Sequence, residues 1–321
     1  MSDPQKRIWI TWENQVRNRS LSKLLNAKLF EIVGDETTPI KRYVKSAWLT
    51  VCIIRKEKPI WVFHQNPSIF LGLLLVILRP FFRYSLVTDT HNAGIRPAEG
   101  KYAILNWIGR LVSKKTDLLI VHNEMIAADC KAFGAAPFVL SDPLPEFSDH
   151  TVEANPNKIV FVCRWSDDEP YQEVIAAYEL ARHENPNLEL YITGRPPDQI
   201  TLERLPDGIF LTGFVSDQEY SDLLKSSALM IVLTNRMNSL NCGAYEALSL
   251  AKPCILFDSD LLKEFFSEGF VYTDLRPENI ALSINKAIKS RDYYSRKLEE
   301  NRARYVLSYD QEISEISKRC N

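Results

Sequence analysis

The stretch Thr234-Asn-Arg-Met-Asn-Ser-Leu-Asn-Cys-Gly-Ala-Tyr-Glu-Ala-Leu-Ser-Leu-Ala-Lys-Pro-Cys-Ile-Leu-Phe257 concentrates the residue types that handle phosphates and hydroxyls. It follows the apolar run Ala228-Leu-Met-Ile-Val-Leu233 and leads into the apolar run ending at Phe257. This order predicts a strand, a polar loop, a helix entered at Gly243, and a second strand. A helix N-terminus at the carboxyl end of a parallel strand offers unpaired N–H groups and a positive dipole end to a phosphate. Glu246, one turn in, can accept hydrogen bonds from sugar hydroxyls. Arg236 adds positive charge to the loop. Asn238 can hydrogen-bond a sugar or phosphate, although a neutral amide cannot serve as a base. The bland alternatives are a loop glycine and an acidic residue favoured by the helix dipole.

A second basic group follows another buried run, Lys158-Ile-Val-Phe-Val-Cys163, at Arg164. A guanidinium there can grip two phosphate oxygens and stabilise a leaving diphosphate. In the first half of the chain, Asp89 and His91 end an apolar run. Either could take a proton from a hydroxyl; either could equally cap the next segment. Arg17, Arg19 and Ser20 lie where the first strand should turn into a helix, placed to hold an anionic acceptor. Asp258-Ser-Asp260 resembles a metal-diphosphate motif only superficially. It follows a strand and precedes Leu261–Ser267, so it reads as a helix cap, and no metal is expected.

These residues need elements to position them. The chain alternates short apolar runs with helix-like segments over its whole length, a pattern of parallel sheets. Six runs fall in the first half, near Arg7–Thr11, Ala27–Val33, Ile60–His64, Tyr84–Thr88, Asp117–Val121 and Phe138–Leu140. Six fall in the second, near Lys158–Cys163, Leu188–Thr193, Ile209–Thr212, Leu229–Leu233, Pro253–Phe257 and Phe270–Tyr272. Twelve strands exceed what one doubly wound domain needs. Leu140–Asn157 is rich in Pro, Asp, Asn and Ser and reads as the linker. The expected partition is 1–150, 151–291 and a charged helical segment 292–321 that could cross back to the first domain.

Bulk properties agree with this and exclude little else. The chain has 321 residues, 45% hydrophobic, with a net charge of -2, so nothing draws it as a whole toward nucleic acid. Its six cysteines, at 52, 130, 163, 242, 254 and 320, form no CxxC pair and no zinc spacing. They suit a reducing cytoplasm. The start of the chain is polar and does not read as a signal peptide. Ile69–Leu78 is the most apolar run, too short to span a bilayer at the roughly 20 residues required. It continues into Arg79-Pro-Phe-Phe-Arg83. A core helix is one reading; a helix whose exposed end touches the inner face of the cytoplasmic membrane is the other.

Several segments together resemble the GT-B glycosyltransferases, and within them the family-4-like group (glycosyl transferases group 1) of bacterial polysaccharide type. They are Val162-Cys-Arg-Trp-Ser-Asp-Asp-Glu-Pro-Tyr171, Tyr191-Ile-Thr-Gly-Arg195, Phe210-Leu-Thr-Gly-Phe-Val215 and the helix opened by Gly243. Thr88-Asp-Thr-His-Asn92 is similar to first-domain segments of the same group. The resemblance implies an α/β fold of two Rossmann-like doubly wound domains facing a cleft. It implies metal-independent transfer of a hexosyl group from a nucleotide-diphosphate sugar to an acceptor hydroxyl. Arg164, Arg236, Asn238, Gly243 and Glu246 would hold the donor. Arg17, Arg19, Ser20 and Asn92 would hold a saccharide or lipid-linked saccharide acceptor, with Asp89, His91 and Arg164 catalytic. No cofactor beyond the donor substrate is implied.

Departures from the pattern are specific. The family pairs Glu246 with a second Glu eight residues earlier, where this chain has Asn238. The basic residue usual after Arg164 is missing, and Glu169-Pro170 stands there. The Asp168-Glu169-Pro170 and Asp89-x-His91-Asn92 wording is closer to β-mannosyltransferases that extend lipid-linked chitobiose. The departures motivate a second class of function, a nucleotide-sugar-binding subunit that transfers nothing alone. A nucleotide-sugar epimerase of the same two-domain plan is a remoter alternative.

Overall fold

The computed structural model describes residues 6–33, 38–66, 68–95, 100–198, 200, 205–237 and 239–320, with only the backbone of Val16, Asn92 and Ala93. The chain divides into two compact units, Met1–Pro143 with Ser308–Asn321, and Leu144–Leu307. The first division falls at 143/144 rather than 150/151. The expected C-terminal segment is split, with residues 292–307 in the second unit and 308–321 in the first.

The first unit carries the strands β1 (Arg7–Thr11), β2 (Lys28–Glu31), β3 (Trp61–Asn66), β4 (Ser85–Thr90), β5 (Leu118–Val121) and β6 (Pro137–Val139). They form one parallel sheet in the order β2-β1-β3-β4-β5-β6. Its helices are α1 (Val16–Leu24), α2 (Pro39–Glu57), α3 (Ile69–Phe82), α4 (Asn92–Ile95), α5 (Ala103–Lys115) and α6 (Glu124–Ala132). Helix α1 starts at Val16, before all three of the residues expected at the strand–helix turn. Arg17 and Arg19 are therefore helical, not part of a turn. No helix among the described residues is long and apolar enough to cross a membrane.

The second unit has β7 (Lys158–Phe161), β8 (Glu189–Thr193), β9 (Ile209–Gly213), β10 (Leu229–Val232), β11 (Cys254–Phe257) and β12 (Phe270–Thr273). Its helices are α7 (Tyr171–Glu184), α8 (Asp217–Ser226), α9 (Cys242–Leu250), α10 (Asp260–Phe266) and α11 (Pro277–Lys289). A long last helix, α12 (Arg291–Arg319), begins here and ends in the first unit. The parallel sheet runs β12-β11-β10-β7-β8-β9. This is the dinucleotide-fold order, with its reversal point between β7 and β10.

Side chains alternate into cores on both faces of the second sheet, which is why the strands read as unbroken apolar runs. From β7, Ile159 and Phe161 join the core containing Ala177, Tyr178 and Ile284 of α7 and α11. Val160 enters the opposite core with Leu224, Ala244 and Leu248 of α8 and α9. Local signals set the helix starts. Ser216 and Glu219 form a reciprocal cap at α8. Ser259 caps α10 by accepting from Leu262 N–H at 3.3 Å. The Asp258-Ser-Asp260 segment thus opens a helix, through its central serine.

Candidate functional site

Beyond the carboxyl ends of β7 and β10 lies a cavity of about 430 Å³. Arg164, Arg236, Gly243 and Glu246 line it, together with Asp168, Glu169, Tyr220 and Asn241. Asn238 lies outside the described residues. Parallel sheets leave such a crevice where strand order reverses, because the flanking loops diverge to opposite faces.

The loop after β7 is held from several sides. The Trp165 indole N–H donates to the Thr193 carbonyl at 2.9 Å, and its backbone adopts φ 64. One oxygen of Glu169 accepts from the backbone N–H of Arg164 at 2.8 Å and of Ser166 at 3.1 Å. Glu169 therefore shapes the turn that presents Arg164. Asp168 joins this loop to the one after β10. It accepts from the Thr234 hydroxyl at 2.9 Å and pairs with Arg236 Nε at 3.2 Å. Its carbonyl accepts from Asn235 N–H at 2.8 Å. Burial works to raise the Asp168 pKa, yet the Thr234 hydroxyl and the Arg236 charge bring it below the ordinary carboxylate value.

Helix α9 points its start into the cavity. Asn241 is its N-cap residue but makes no side-chain cap bond. Its Oδ1 is buried without a hydrogen-bond partner. A helix start without a side-chain cap and an orphan amide oxygen beside it suit a site shaped for a polar ligand. Gly243 lines the cavity and also has a packing role. A Cβ there would lie 2.8 Å from Val232 Cγ2 and 3.3 Å from Val162 Cγ1. The missing side chain lets the helix seat against β10 and the end of β7, and so places the helix start over the cavity.

Glu246, half-buried one turn further, accepts from the Tyr220 hydroxyl at 2.7 Å. Burial raises its pKa, and the Tyr220 bond partly offsets this. Tyr220 comes from α8, and only the fold brings it to Glu246. Phe214, after β9, is 86% exposed and also borders the cavity. An open aromatic face beside a carboxylate and two guanidinium groups is a surface on which a planar ring could stack.

The first unit's candidates separate into two sets. Asp89, on β4, is 1% exposed and takes a bidentate pair from Arg17, with Nε at 2.9 Å and Nη2 at 3.0 Å. Arg17 also pairs with Asp142 and points Nη2 toward the Leu140 carbonyl at 3.4 Å. Burial would raise the Asp89 pKa, but the Arg17 charge and the His91 contact take it well below the usual carboxylate range. A carboxylate so held is a poor proton acceptor, and an arginine so occupied is a poor ligand for an acceptor diphosphate. The structure thus brings these two candidates together as a buried ion pair. Arg19 is exposed and forks onto Glu31 at 3.0 and 3.2 Å, away from Asp89. Ser20 is half-buried on α1. Asn92 opens α4, and its side chain lies outside the described residues.

His91 is partly open. Its Nε2 lies 2.9 Å from Gln65 Nε2 and 3.7 Å from Asp89 Oδ2. Its ring sits 4.8 Å from that of His122, whose pKa burial and then His91 hold down to about 4. A solvent-reachable imidazole beside a buried carboxylate is a group that can accept a proton once a hydroxyl is brought to it. Gln65 and His122 were missed as partners because their sequence positions, each in a different strand end, carry no local signal. Among the described residues no group of His, Cys, Asp and Glu could hold a metal ion.

The family model for glycosyl transferases group 1 matches residues 145–305, half of the chain. The chain belongs to that family, and glycosyl transfer from a nucleotide sugar is the activity that goes with it. Among solved structures, a sucrose-phosphate synthase (tll1590) from Thermosynechococcus elongatus aligns with a TM-score of 0.69 at 12% identity over 98% of both chains. Anabaena Alr3699/HepE, in complex with UDP and glucose, aligns with a TM-score of 0.65 at 14% identity, over 97% of this chain and 99% of its own. A putative UDP-N-acetylglucosamine 2-epimerase from Listeria monocytogenes aligns at 0.63 and 12% identity, over 92% and 90%. Identities this low speak to the fold. A comparison with curated proteins finds no match.

Proposed function

We propose that the second unit binds a nucleotide-diphosphate sugar in the cavity beside α9 and that a hexosyl group passes to a saccharide or lipid-linked saccharide hydroxyl. The observation that carries this reading is the uncapped start of α9, with its orphan Asn241 oxygen, flanked by Arg164 and Arg236 and followed by Glu246. The N–H groups and the two guanidinium groups take the diphosphate. Glu246, as a carboxylate, accepts from ribose hydroxyls. Phe214 borders the base. Arg164 and the α9 dipole stabilise the leaving diphosphate, so the step runs without a metal. His91 takes the acceptor proton with Asp89 behind it. Asn238 remains a proposed donor contact, and Ser20, Arg19 and Asn92 proposed acceptor contacts. The setting is bacterial surface polysaccharide or glycolipid synthesis on the cytoplasmic side of the membrane. HepE, of the same fold, binds UDP and glucose, which makes a uridine donor the first to try.

A donor-binding subunit without transfer of its own is the second reading. Glu169 favours it, since its carboxylate occupies two loop N–H groups where the family places a basic side chain.

A thermal-shift series with UDP, GDP, CMP, dTDP and ADP, repeated on Glu246→Ala, tests the donor site. One nucleotide should raise the melting temperature by mass action, and the variant should lose the rise. No shift at millimolar concentration with any nucleotide sinks the assignment. A shift with no transfer to any acceptor, and no donor hydrolysis, selects the second reading. Activity unchanged by a chelator is expected.

A further inference from the structure

The most unusual surface of the molecule lies outside the donor cavity, on the first unit. Helix α2 packs on α3, and α3 on α5. The contact between α3 and α5 is close, since a Cβ on Gly72 would come within 2.9 Å of Val112. The inner faces of α2 and α3 supply Ile54, Leu71 and Leu75 to the core. Their outer faces are apolar too. On α2, Ile40, Tyr43, Val44 and Trp48 repeat at the spacing of a buried helical stripe, yet all four are exposed, Trp48 by 64%. Phe81 of α3 is 77% exposed and Trp107 of α5 62%. Between α2 and α3 an open apolar groove of about 420 Å³ runs along Tyr43, Val44, Phe70 and Ile77.

The charge on these helices is one-sided. The three together carry nine Lys and Arg against one acid, Glu57 at the end of α2, in a chain whose net charge is -2. Lys41, Arg42 and Lys45 are interleaved with the exposed apolar stripe of α2. An apolar partner protein would require no such excess of cations. A nucleic acid would not require aliphatic and aromatic side chains standing in water on three helices. Anionic phosphates lying directly above hydrocarbon match both features.

We propose that the α2–α3–α5 face docks on an anionic lipid bilayer, with Trp48, Phe81 and Trp107 at headgroup depth and Lys41, Arg42 and Lys45 on lipid phosphates. The sequence alone singled out only Ile69–Arg83; the structure adds α2 and α5 and the cationic rim. The surface deepens the reading of a lipid-linked acceptor, but docking is measured with neither donor nor acceptor present, so the two fail separately.

The test uses the full chain and vesicles of phosphatidylcholine, alone or mixed with phosphatidylglycerol. Flotation with the anionic vesicles only, and a blue shift of tryptophan emission on mixing, are expected. Replacing Lys41, Arg42 and Lys45 together by alanine should weaken binding on the order of a hundredfold, from the attraction of each charge to an anionic surface. Phe81→Ser should weaken it with the charges intact, and circular dichroism melts should show both variants folded. Equal binding to neutral vesicles, no binding at low salt, or full binding by both folded variants would overturn the proposal. So would a stable dimer in sedimentation that Phe81→Ser dissociates, since a second copy would then cover the face.

Discussion

Replacing Asp89 by Asn separates two accounts of the residue that family resemblance makes catalytic. The carboxylate is buried against a guanidinium that is itself nearly buried, with two hydrogen bonds of 2.9 and 3.0 Å between them. Asparagine keeps the shape and removes the charge. Arg17 then retains only Asp142, which is 32% exposed, and carbonyl oxygens. Breaking a buried pair from one side costs about 3–5 kcal/mol, and the surviving partners place this case near the lower end. For a unit of this size about 3 kcal/mol corresponds to roughly 6–12 °C in melting temperature. The pH dependence follows from the sign of the shift. The folded Asp89 pKa lies below its unfolded value, so its contribution is present above the ordinary aspartate pKa and fades as pH falls below about 4. The gap between wild type and Asp89→Asn should narrow there. Calorimetric melts from pH 7 to acid provide the assay. Transfer also falls in the variant, because His91 loses the charge behind it, so the melt is the discriminating readout. A melting temperature within about 1 °C of wild type at pH 7, where the shift worked above is several times larger, would refute the structural account of the pair.

Three further outcomes are expected. Gly243→Ala forces a methyl group against Val232 at 2.8 Å; it should destabilise the second unit by about 1–3 kcal/mol and weaken nucleotide binding, both measurable by melts with and without ligand. Tyr220→Phe removes a bond that lowers the Glu246 pKa. If the carboxylate binds ribose, nucleotide affinity falls as Glu246 protonates, so calorimetric titrations should show that fall-off at higher pH in the variant and near-equal affinities in the alkaline range. Glu169→Ala frees the N–H groups of Arg164 and Ser166; a loss of about 1–3 kcal/mol in stability is expected, and an unchanged melt would show that the turn does not depend on that carboxylate.

All twelve strands were legible as apolar runs; the central ones, such as β5 and β10, are buried on both faces and leave no alternation to misread. Their order was not. Nothing local distinguishes the β2-β1-β3 start of the first sheet from the β9-β8-β7 edge of the second, because order depends on which side each crossover takes. The start of α1 was misplaced because Gln15 offers no side-chain cap and the polar Arg17-Asn-Arg19 looks like a turn. The residues that line the cavity beside α9 were legible because a loop, a glycine and a helix lie consecutively in the chain. The Arg17–Asp89 pair spans 72 positions and the Tyr220–Glu246 pair 26. Separations like these leave no trace in spacing, and only the fold shows Asp89 as half of a buried ion pair. Gly243 shows a subtler limit: its identity was noticed, but what its absent side chain accommodates, Val232, becomes visible only in three dimensions.

The route of the chain through α12 bears on how the protein is made. Residues 144–307 form the second unit without interruption, whereas the first unit needs residues 308–321 as well. Tyr309, Ile316 and Cys320 are buried in the same core as Trp9, Phe63 and Ile120, and Glu312 accepts from Ser141 N–H at 3.0 Å. During synthesis the half that is translated first must wait to close the core around Trp9 and Phe63 until residues 309–320 have left the ribosome, while the half translated second has all its residues sooner. Apolar surface left open through that interval invites association with chaperones or with other nascent chains. Limited proteolysis of ribosome-bound chains halted before residue 308 should cut the first unit and spare the second, and resistance of both would contradict this order.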